Sequence, residues 1–193
     1  MFTFAIINIT FSKKNKMKIT TPIIISVLIA NFVIFSCSKD EPGPVDPPTE
    51  VLTYEVEDLD GNIFVNNQTV EFSVLDYPDA SLGFYVRNTS SETIAMRIEV
   101  ESMSGTDGSL MELCFGECYY GVTTGSSYPS NPSSPNVNIE PGQTQVSSGD
   151  HFFNSDGGDG INPVEYTFKF YLADESGNQN GTVFRIKYRY IRN

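Results

Sequence analysis

The sequence predicts an all-β protein built as an antiparallel sandwich of about eight strands. Three segments of the 193-residue chain alternate apolar and polar residues with a period of two, as half-buried strands do. Turn sequences rich in Gly, Asn, Asp and Pro separate the apolar segments. Many short strands with such turns between them indicate two packed antiparallel sheets.

The strongest strand signals are the three alternating segments, 94–100, 164–172 and 184–190. Shorter apolar segments between the turn sequences predict further strands. They lie at 52–57, 70–75, 82–87, 110–115 and 136–139, with one more short candidate at 63–65. The total is eight or nine strands, and no segment makes a convincing helix.

The last predicted strand separates its residues into an apolar face and a basic face. Arg185, Lys187 and Arg189 alternate with apolar residues along it. If this strand lies at a sheet edge, the three charges discourage pairing with another chain. A basic stripe that binds a ligand is the alternative interpretation.

Two long segments lack a strand pattern and are predicted to be surface loops. Residues 121–136 contain three prolines together with serines and asparagines, and residues 147–162 are rich in Gly and Asp. Long loops in small domains are often functional. We therefore expect ligand contacts near these two segments.

The first 36 residues have the composition of a secretory signal peptide. Lys13, Lys14, Lys16 and Lys18 precede an apolar run at 23–35, and no acid is present. This run is too short for a spanning helix, which needs about 20 residues. Met17 followed by Lys18 also makes an ordinary signal-peptide start, in which case residues 1–16 are a mis-called extension.

Two short motifs after the apolar run resemble those of bacterial lipoproteins. Ile34-Phe35-Ser36-Cys37 resembles a lipobox, and Ser38-Lys39-Asp40-Glu41 resembles the export signal of surface-exposed lipoproteins of the Bacteroidota. The resemblance implies lipidation at Cys37 and a lipid-anchored position on the outer membrane, exposed at the cell surface. Two or more acyl chains anchor a protein stably, whereas one chain binds reversibly.

Residues 37–50 form a proline-rich acidic linker after the lipidated cysteine, and residues 51–193 form the folded domain. Within that domain, Ile139-Glu140-Pro141-Gly142-Gln143-Thr144 resembles a Pro-Gly turn of extracellular immunoglobulin-like modules. We therefore expect the sandwich to be immunoglobulin-like.

The chain is strongly acidic, and removal of the signal peptide makes it more so. The formal net charge of the whole chain is −12. Residues 37–193 retain 8 Lys and Arg against 24 Asp and Glu, which leaves a net charge of −16. Such a field repels phosphate backbones, so no nucleic-acid partner is expected.

With Cys37 assigned to lipid, two cysteines remain for an oxidising compartment, Cys114 and Cys118. We predict that they form a disulfide. In an extended strand they would lie about 13 Å apart, and a disulfide needs Cα atoms within about 7 Å, so the chain must turn between them. Gly116 permits that turn. A redox-active pair and a metal site remain open alternatives.

Other candidate binding residues lie in or near the two predicted loops. Tyr119, Tyr120 and Tyr128 are predicted to form an aromatic platform for a sugar or a peptide. Asp156 and Asp159 lie in a Gly-rich segment and offer the oxygen ligands that calcium prefers. Asp also occurs in turns for backbone reasons alone. No cofactor is therefore expected, with calcium as an open alternative.

Catalysis has little support in the sequence. His151 is the only histidine and is expected in a surface loop, and no nucleophile elbow, zinc-protease motif or phosphate-binding loop is present. We therefore predict a non-catalytic binding or adhesion module for a glycan or protein ligand. The main alternative is an accessory subunit of an envelope complex. A secreted hydrolase, which needs only two suitably placed carboxylates, is the third interpretation.

Overall fold

The computed structural model describes residues 52–145 and 149–192, and within these ranges all regular structure is β-strand. The predicted signal peptide, the lipidation site at Cys37 and the linker lie outside the described residues. The strands are β1 (Tyr54–Glu57), β2 (Gln68–Phe72), β3 (Ser81–Gly83), β4 (Tyr85–Asn88), β5 (Ile94–Ser104), β6 (Met111–Phe115), β7 (Glu117–Tyr120), β8 (Ser127–Tyr128), β9 (Val137–Ile139), β10 (Thr144–Gln145), β11 (His151–Asn154), β12 (Val164–Ala173) and β13 (Gln179–Tyr190).

The strands form three sheets. A six-stranded sheet has the order β2-β13-β12-β5-β8, with β9 also paired to β5. A four-stranded sheet has the order β3-β11-β6-β7, and a three-stranded sheet has the order β1-β4-β10. The chain passes from the four-stranded to the three-stranded sheet at the buried Phe84, which separates β3 from β4.

The six-stranded sheet forms one layer of a sandwich and the two smaller sheets form the other. Phe152 of β11 stacks on Phe168 of β12 with ring centroids 3.7 Å apart. Phe84 packs against the edge of Phe170 at 5.3 Å. On the side of the three-stranded sheet, the hydroxyl of Tyr54 donates to the carbonyl oxygen of Phe170 across the layers. These residues form one continuous core.

This architecture confirms the predicted all-β sandwich of mainly antiparallel sheets. Every pairing between named strands is antiparallel except that of β13 with β2, which is parallel. The described residues contain thirteen strands instead of about eight, since several added strands have only two to four residues. Within 52–145 and 149–192, no helix combines the length and apolar character needed to cross a bilayer.

The two predicted loops contain strands that the sequence pattern did not reveal. Strand β11 lies inside the segment 147–162 and pairs with both β3 and β6. Strand β8 lies inside 121–136 and pairs with β5. Both strands are too short to show a repeated alternation, and both are surrounded by turn-forming residues. The candidate at 63–65 forms only an isolated bridge between Ile63 and Glu57.

The last strand is not at an edge, so its charges do not act as edge protection. Strand β13 lies between β12 and β2. Arg185 pairs with Glu101 at 2.7 Å, and Arg189 lies 3.1 Å from Glu71. Arg185 therefore reaches past β12 to β5, and Arg189 links β13 to its neighbour β2 on the outer face of the six-stranded sheet.

A buried carboxylate anchors the connection between β6 and β7. Asp150 is 2% exposed, and its Oδ1 accepts a hydrogen bond of 2.9 Å from the backbone N–H of Gly116. Its Oδ2 has no hydrogen-bond partner among the described residues. Burial raises the pKa of this carboxyl from 3.8 to about 7, and the bond from Gly116 opposes that rise.

Adjacent residues of β11 test the assignment of its two faces. Phe152→Ala removes a fully buried ring, and we expect it to lower the free energy of unfolding by about 3–5 kcal/mol. Phe153→Ala, on the outer face, should cost about 1 kcal/mol or less. Urea denaturation of both variants measures the difference. Equal losses would contradict the described orientation of β11.

The raised pKa of Asp150 predicts that this group favours the folded state at acid pH. Between pH 4 and pH 7 the folded chain binds a proton that the unfolded chain has released, so this contribution falls as pH rises. The decline should reach at most about 4 kcal/mol. Unfolding of Asp150→Asn, measured by denaturant from pH 4 to pH 8, should lack the decline. The exposed-acid control Asp79→Asn should keep it, and an unchanged slope in Asp150→Asn refutes the assignment.

Candidate functional site

The outer face of the four-stranded sheet carries a row of side chains across three neighbouring strands. Phe153 on β11 lies opposite Glu112 on β6, and Glu112 lies opposite Tyr120 on β7. Phe153 and Glu112 alternate with buried neighbours, so their side chains point away from the core. Because strands lie about 4.8 Å apart, Phe153 and Tyr120 are separated by about 10 Å, with Glu112 between them.

Tyr77 and Leu110 extend this row into an exposed patch, which we call the aromatic face (Tyr77, Leu110, Glu112, Tyr120 and Phe153). Tyr120 is 80% exposed, Tyr77 is 64% exposed and Leu110 is 53% exposed. The ring of Tyr77 meets that of Phe153 edge-on, with centroids 5.4 Å apart. Tyr120, Phe153 and Leu110 line a groove of about 160 Å³. Clustered large side chains that stay in water typically mark a binding surface.

Glu112 is the charged group at the centre of the aromatic face. Its hydrogen bond with the hydroxyl of Tyr120, together with its negative charge, raises the pKa of that hydroxyl. The same carboxylate lies 4.0 Å from Nε2 of His151 and 3.6 Å from Sγ of Cys114. His151 lies on β11 and not in the surface loop where the sequence predicted it, and its side chain is only 12% exposed.

A disulfide joins Cys114 and Cys118 across the hairpin of β6 and β7, as the sequence predicts. The chain turns between them at Gly116, which has a φ of 70° and brings the two Cα atoms to 4.0 Å. The bridge fixes the pairing of the two strands. It thereby fixes which side chains of β7 point outward.

The three predicted tyrosines do not share one surface. Tyr119 and Tyr128 pack together with ring centroids 4.8 Å apart, and Tyr128 is only 7% exposed. The hydroxyl of Tyr119 donates to Glu117 and accepts from the backbone N–H of Ser130. These two rings therefore close the gap between β7 and β8, on different sheets. Tyr120 follows Tyr119 on the strand, so it points to the outer face and belongs to the aromatic face.

Asp156 and Asp159, the predicted calcium ligands, accept hydrogen bonds from their own surroundings. Asp156 accepts from the hydroxyl of Thr106 at 2.6 Å and from the N–H of Gly158 at 2.8 Å. Asp159 accepts from two backbone N–H groups and from the side-chain amide of Asn162. Both carboxylates thus take part in turn formation, which was the alternative interpretation of the sequence.

A second groove, of about 340 Å³, lies on the outer face of the six-stranded sheet. Thr69, Ser102, Thr167 and Lys187 are among the residues that line it. The tyrosines that line this groove are buried in the core, so it offers no exposed ring to a ligand. The aromatic face is therefore the better candidate for a binding surface.

Sequence reasoning missed Tyr77, Leu110 and Phe153 as members of the candidate site. Phe153 carried a usable signal, since a Phe-Phe pair in a strand places one ring on each face. Tyr77 precedes Pro78 in a connection with no strand pattern, and only the fold brings it against Phe153. Leu110 lies just before β6, where an apolar residue is normally counted as core.

No protein-family model matches the chain, and no curated protein matches it. Among solved structures, the N-terminal domain of PorA is similar over 71% of this chain and 96% of that domain, with a TM-score of 0.42 and 19% identity. The PapD-like domain 7 of human CEP192, an ASH domain, is similar over 78% of this chain and 91% of that domain, with a TM-score of 0.39 and 8% identity. Neither similarity assigns this chain to a family.

Proposed function

We propose that the chain is a lipid-anchored protein of the outer cell surface whose sandwich binds a glycan through the aromatic face, without catalysing a reaction. The observation that carries the proposal is the group of rings near Glu112 on the outer face of the four-stranded sheet, in which Tyr77 and Tyr120 are exposed and Phe153 is half-buried. The lipid at Cys37 and the proline-rich linker 37–50 would hold this domain away from the membrane, where its faces can meet ligands.

The chemistry of the aromatic face suits a sugar. A sugar ring presents an apolar face that stacks on an aromatic ring and hydroxyl groups that need acceptors and donors. Tyr120 and Phe153 offer the rings, and the Glu112 carboxylate between them offers an acceptor. Ser109 and Ser155 line the same groove. The chain has no Trp, so tyrosine is the ring with a polar tip at this surface.

Hydrolysis is less well supported at this surface. Glycosidases use two carboxyl groups about 5–10 Å apart on either side of the bond that breaks. The groove beside Tyr120 is lined by one carboxylate, that of Glu112. A ligand held there would be bound through the rings and not cleaved.

An accessory role in an envelope complex is the second candidate, and a different surface favours it. Leu59, Ile63 and Val65 in the connection between β1 and β2 are 61%, 53% and 70% exposed. Aliphatic side chains without polar tips suit a protein partner better than a sugar. The two candidate functions therefore depend on different surface residues and can be tested separately.

Removal of exposed rings should weaken glycan binding without unfolding the domain. We expect Tyr120→Ala and Tyr77→Ala each to lower the affinity for a glycan found on an array by roughly 3- to 10-fold, because each loses one stacking contact. Binding measured by calorimetry should be unchanged in the matched control Val65→Ser. The second candidate is supported instead if the wild type binds no glycan on the array and captures an envelope protein that the double variant Ile63→Ser plus Val65→Ser no longer captures.

The lipid anchor has its own test. Cys37→Ala cannot be acylated, so we expect the protein to leave the membrane fraction and to keep its signal peptide. Fractionation of cells and mass spectrometry of the N-terminus measure both results. Ser36→Ala, which keeps the cysteine and a small neighbour, is the control that should stay in the membrane. A Cys37→Ala protein that still partitions with membranes contradicts the proposed anchor.

A further inference from the structure

Three potential metal ligands converge near the turn of the β6–β7 hairpin. Sγ of Cys114 lies 3.6 Å from Oε1 of Glu112 and 3.9 Å from Nε2 of His151. Nε2 of His151 lies 4.0 Å from Oε1 of Glu112. A point equidistant from all three atoms lies about 2.2 Å from each, and zinc bonds to sulfur, nitrogen and oxygen are about 2.0–2.3 Å long. The spacing of these atoms therefore already suits a zinc ion.

The orientation of His151 adds an independent argument. Its Nδ1 contacts the carbonyl oxygen of Gly149, a group that only accepts hydrogen bonds. Nδ1 therefore carries a proton, and in the neutral imidazole Nε2 presents its lone pair to Cys114 and Glu112. A backbone carbonyl that holds Nδ1–H in this way is the usual outer-shell arrangement of a metal-ligating histidine. With the imidazole neutral, three acceptor atoms face one another, and a cation between them would relieve their repulsion.

The disulfide keeps both Cys114 and Cys118 from acting as metal ligands. While Cys114 is bonded to Cys118, neither sulfur is a thiolate, and the thiolate is the form that binds metals. We infer that Cys114, Cys118, His151 and Glu112 form a redox-gated zinc site, closed in the disulfide form and opened by reduction. The spacing Cys-x₃-Cys falls within the range of structural zinc sites.

Opening the site requires a dithiol reductant. The reductant gives up two electrons and two protons, the S–S bond breaks, two thiols form, and the reductant becomes its own disulfide. Zn²⁺ then displaces both thiol protons into solvent and binds two thiolates, one imidazole nitrogen and one carboxylate oxygen. Cys118 is exposed on the edge strand β7, so a reductant can reach it.

Zinc fits this ligand set better than a hard cation. Two thiolates and an imidazole are soft or borderline ligands, which favour zinc over calcium or magnesium. With one carboxylate, the four ligands also match the coordination number of a closed structural zinc site. This site is separate from the turns of Asp156 and Asp159, whose oxygens already accept hydrogen bonds.

Metal titration of the full chain tests the inference. A Cys37→Ser background removes the only other cysteine, so any thiolate signal must come from the hairpin. After reduction with dithiothreitol and its removal without air, the chain should bind one Co²⁺ with sulfur-to-cobalt charge-transfer bands, and Zn²⁺ should displace it. The unreduced chain should bind none. In the reduced chain, His151→Ala and Glu112→Gln should each weaken zinc by at least about 10-fold, since even loss of an outer-shell partner costs that much.

The matched control is Glu117→Gln, which removes a hairpin carboxylate that faces Tyr119 and lies outside the proposed site. It should bind zinc as the parent chain does. Circular dichroism follows the fold throughout. Absence of the charge-transfer bands in a reduced, folded chain overturns the inference, as does undiminished zinc affinity in His151→Ala. A reduced chain that unfolds and is not refolded by Zn²⁺ overturns it as well.

Discussion

The stacking of Phe152 on Phe168 across the two layers is the contact on which the rest of the structure depends. It places β11 in the interior of the four-stranded sheet, between β3 and β6. Once that ring faces inward, the period of two along the strand sends Phe153 outward. The core contact thus determines the position of the aromatic face, because β11 places Phe152 in the core and Phe153 on the outer face.

The alternating segments predicted the fold class and the long strands well, because each has enough residues to repeat its pattern. Residues 164–172 and 184–190 lie within β12 and β13. The predicted segment 82–87 covers β3 and β4, since one strand pattern continues while the chain changes sheets at Phe84. Strands β7, β8, β10 and β11 were not predicted, because two to four residues carry too little periodicity to outweigh neighbouring glycines and prolines.

The candidate site was only partly accessible to sequence reasoning. Tyr120 was singled out for the right chemical reason, but it was grouped with Tyr119 and Tyr128, which pack inside. Adjacent residues of a strand point in opposite directions, so the pair Tyr119-Tyr120 could not form one platform once residues 117–120 were a strand. Tyr77 and Phe153 meet only through tertiary packing. The convergence of Glu112, Cys114 and His151 likewise depends on the pairing of β6 with β11, which no local pattern encodes.

The separation of the core from the aromatic face has an evolutionary consequence. Tyr77, Leu110 and Tyr120 are mainly in solvent, so exchanges at these positions change ligand contacts at little cost in stability. Phe152, one residue from Phe153, has no such freedom because it fills the core. A lineage could therefore diversify its ligands at a few surface positions while the scaffold stays the same. Related chains would then share buried residues and differ most where they meet their environment.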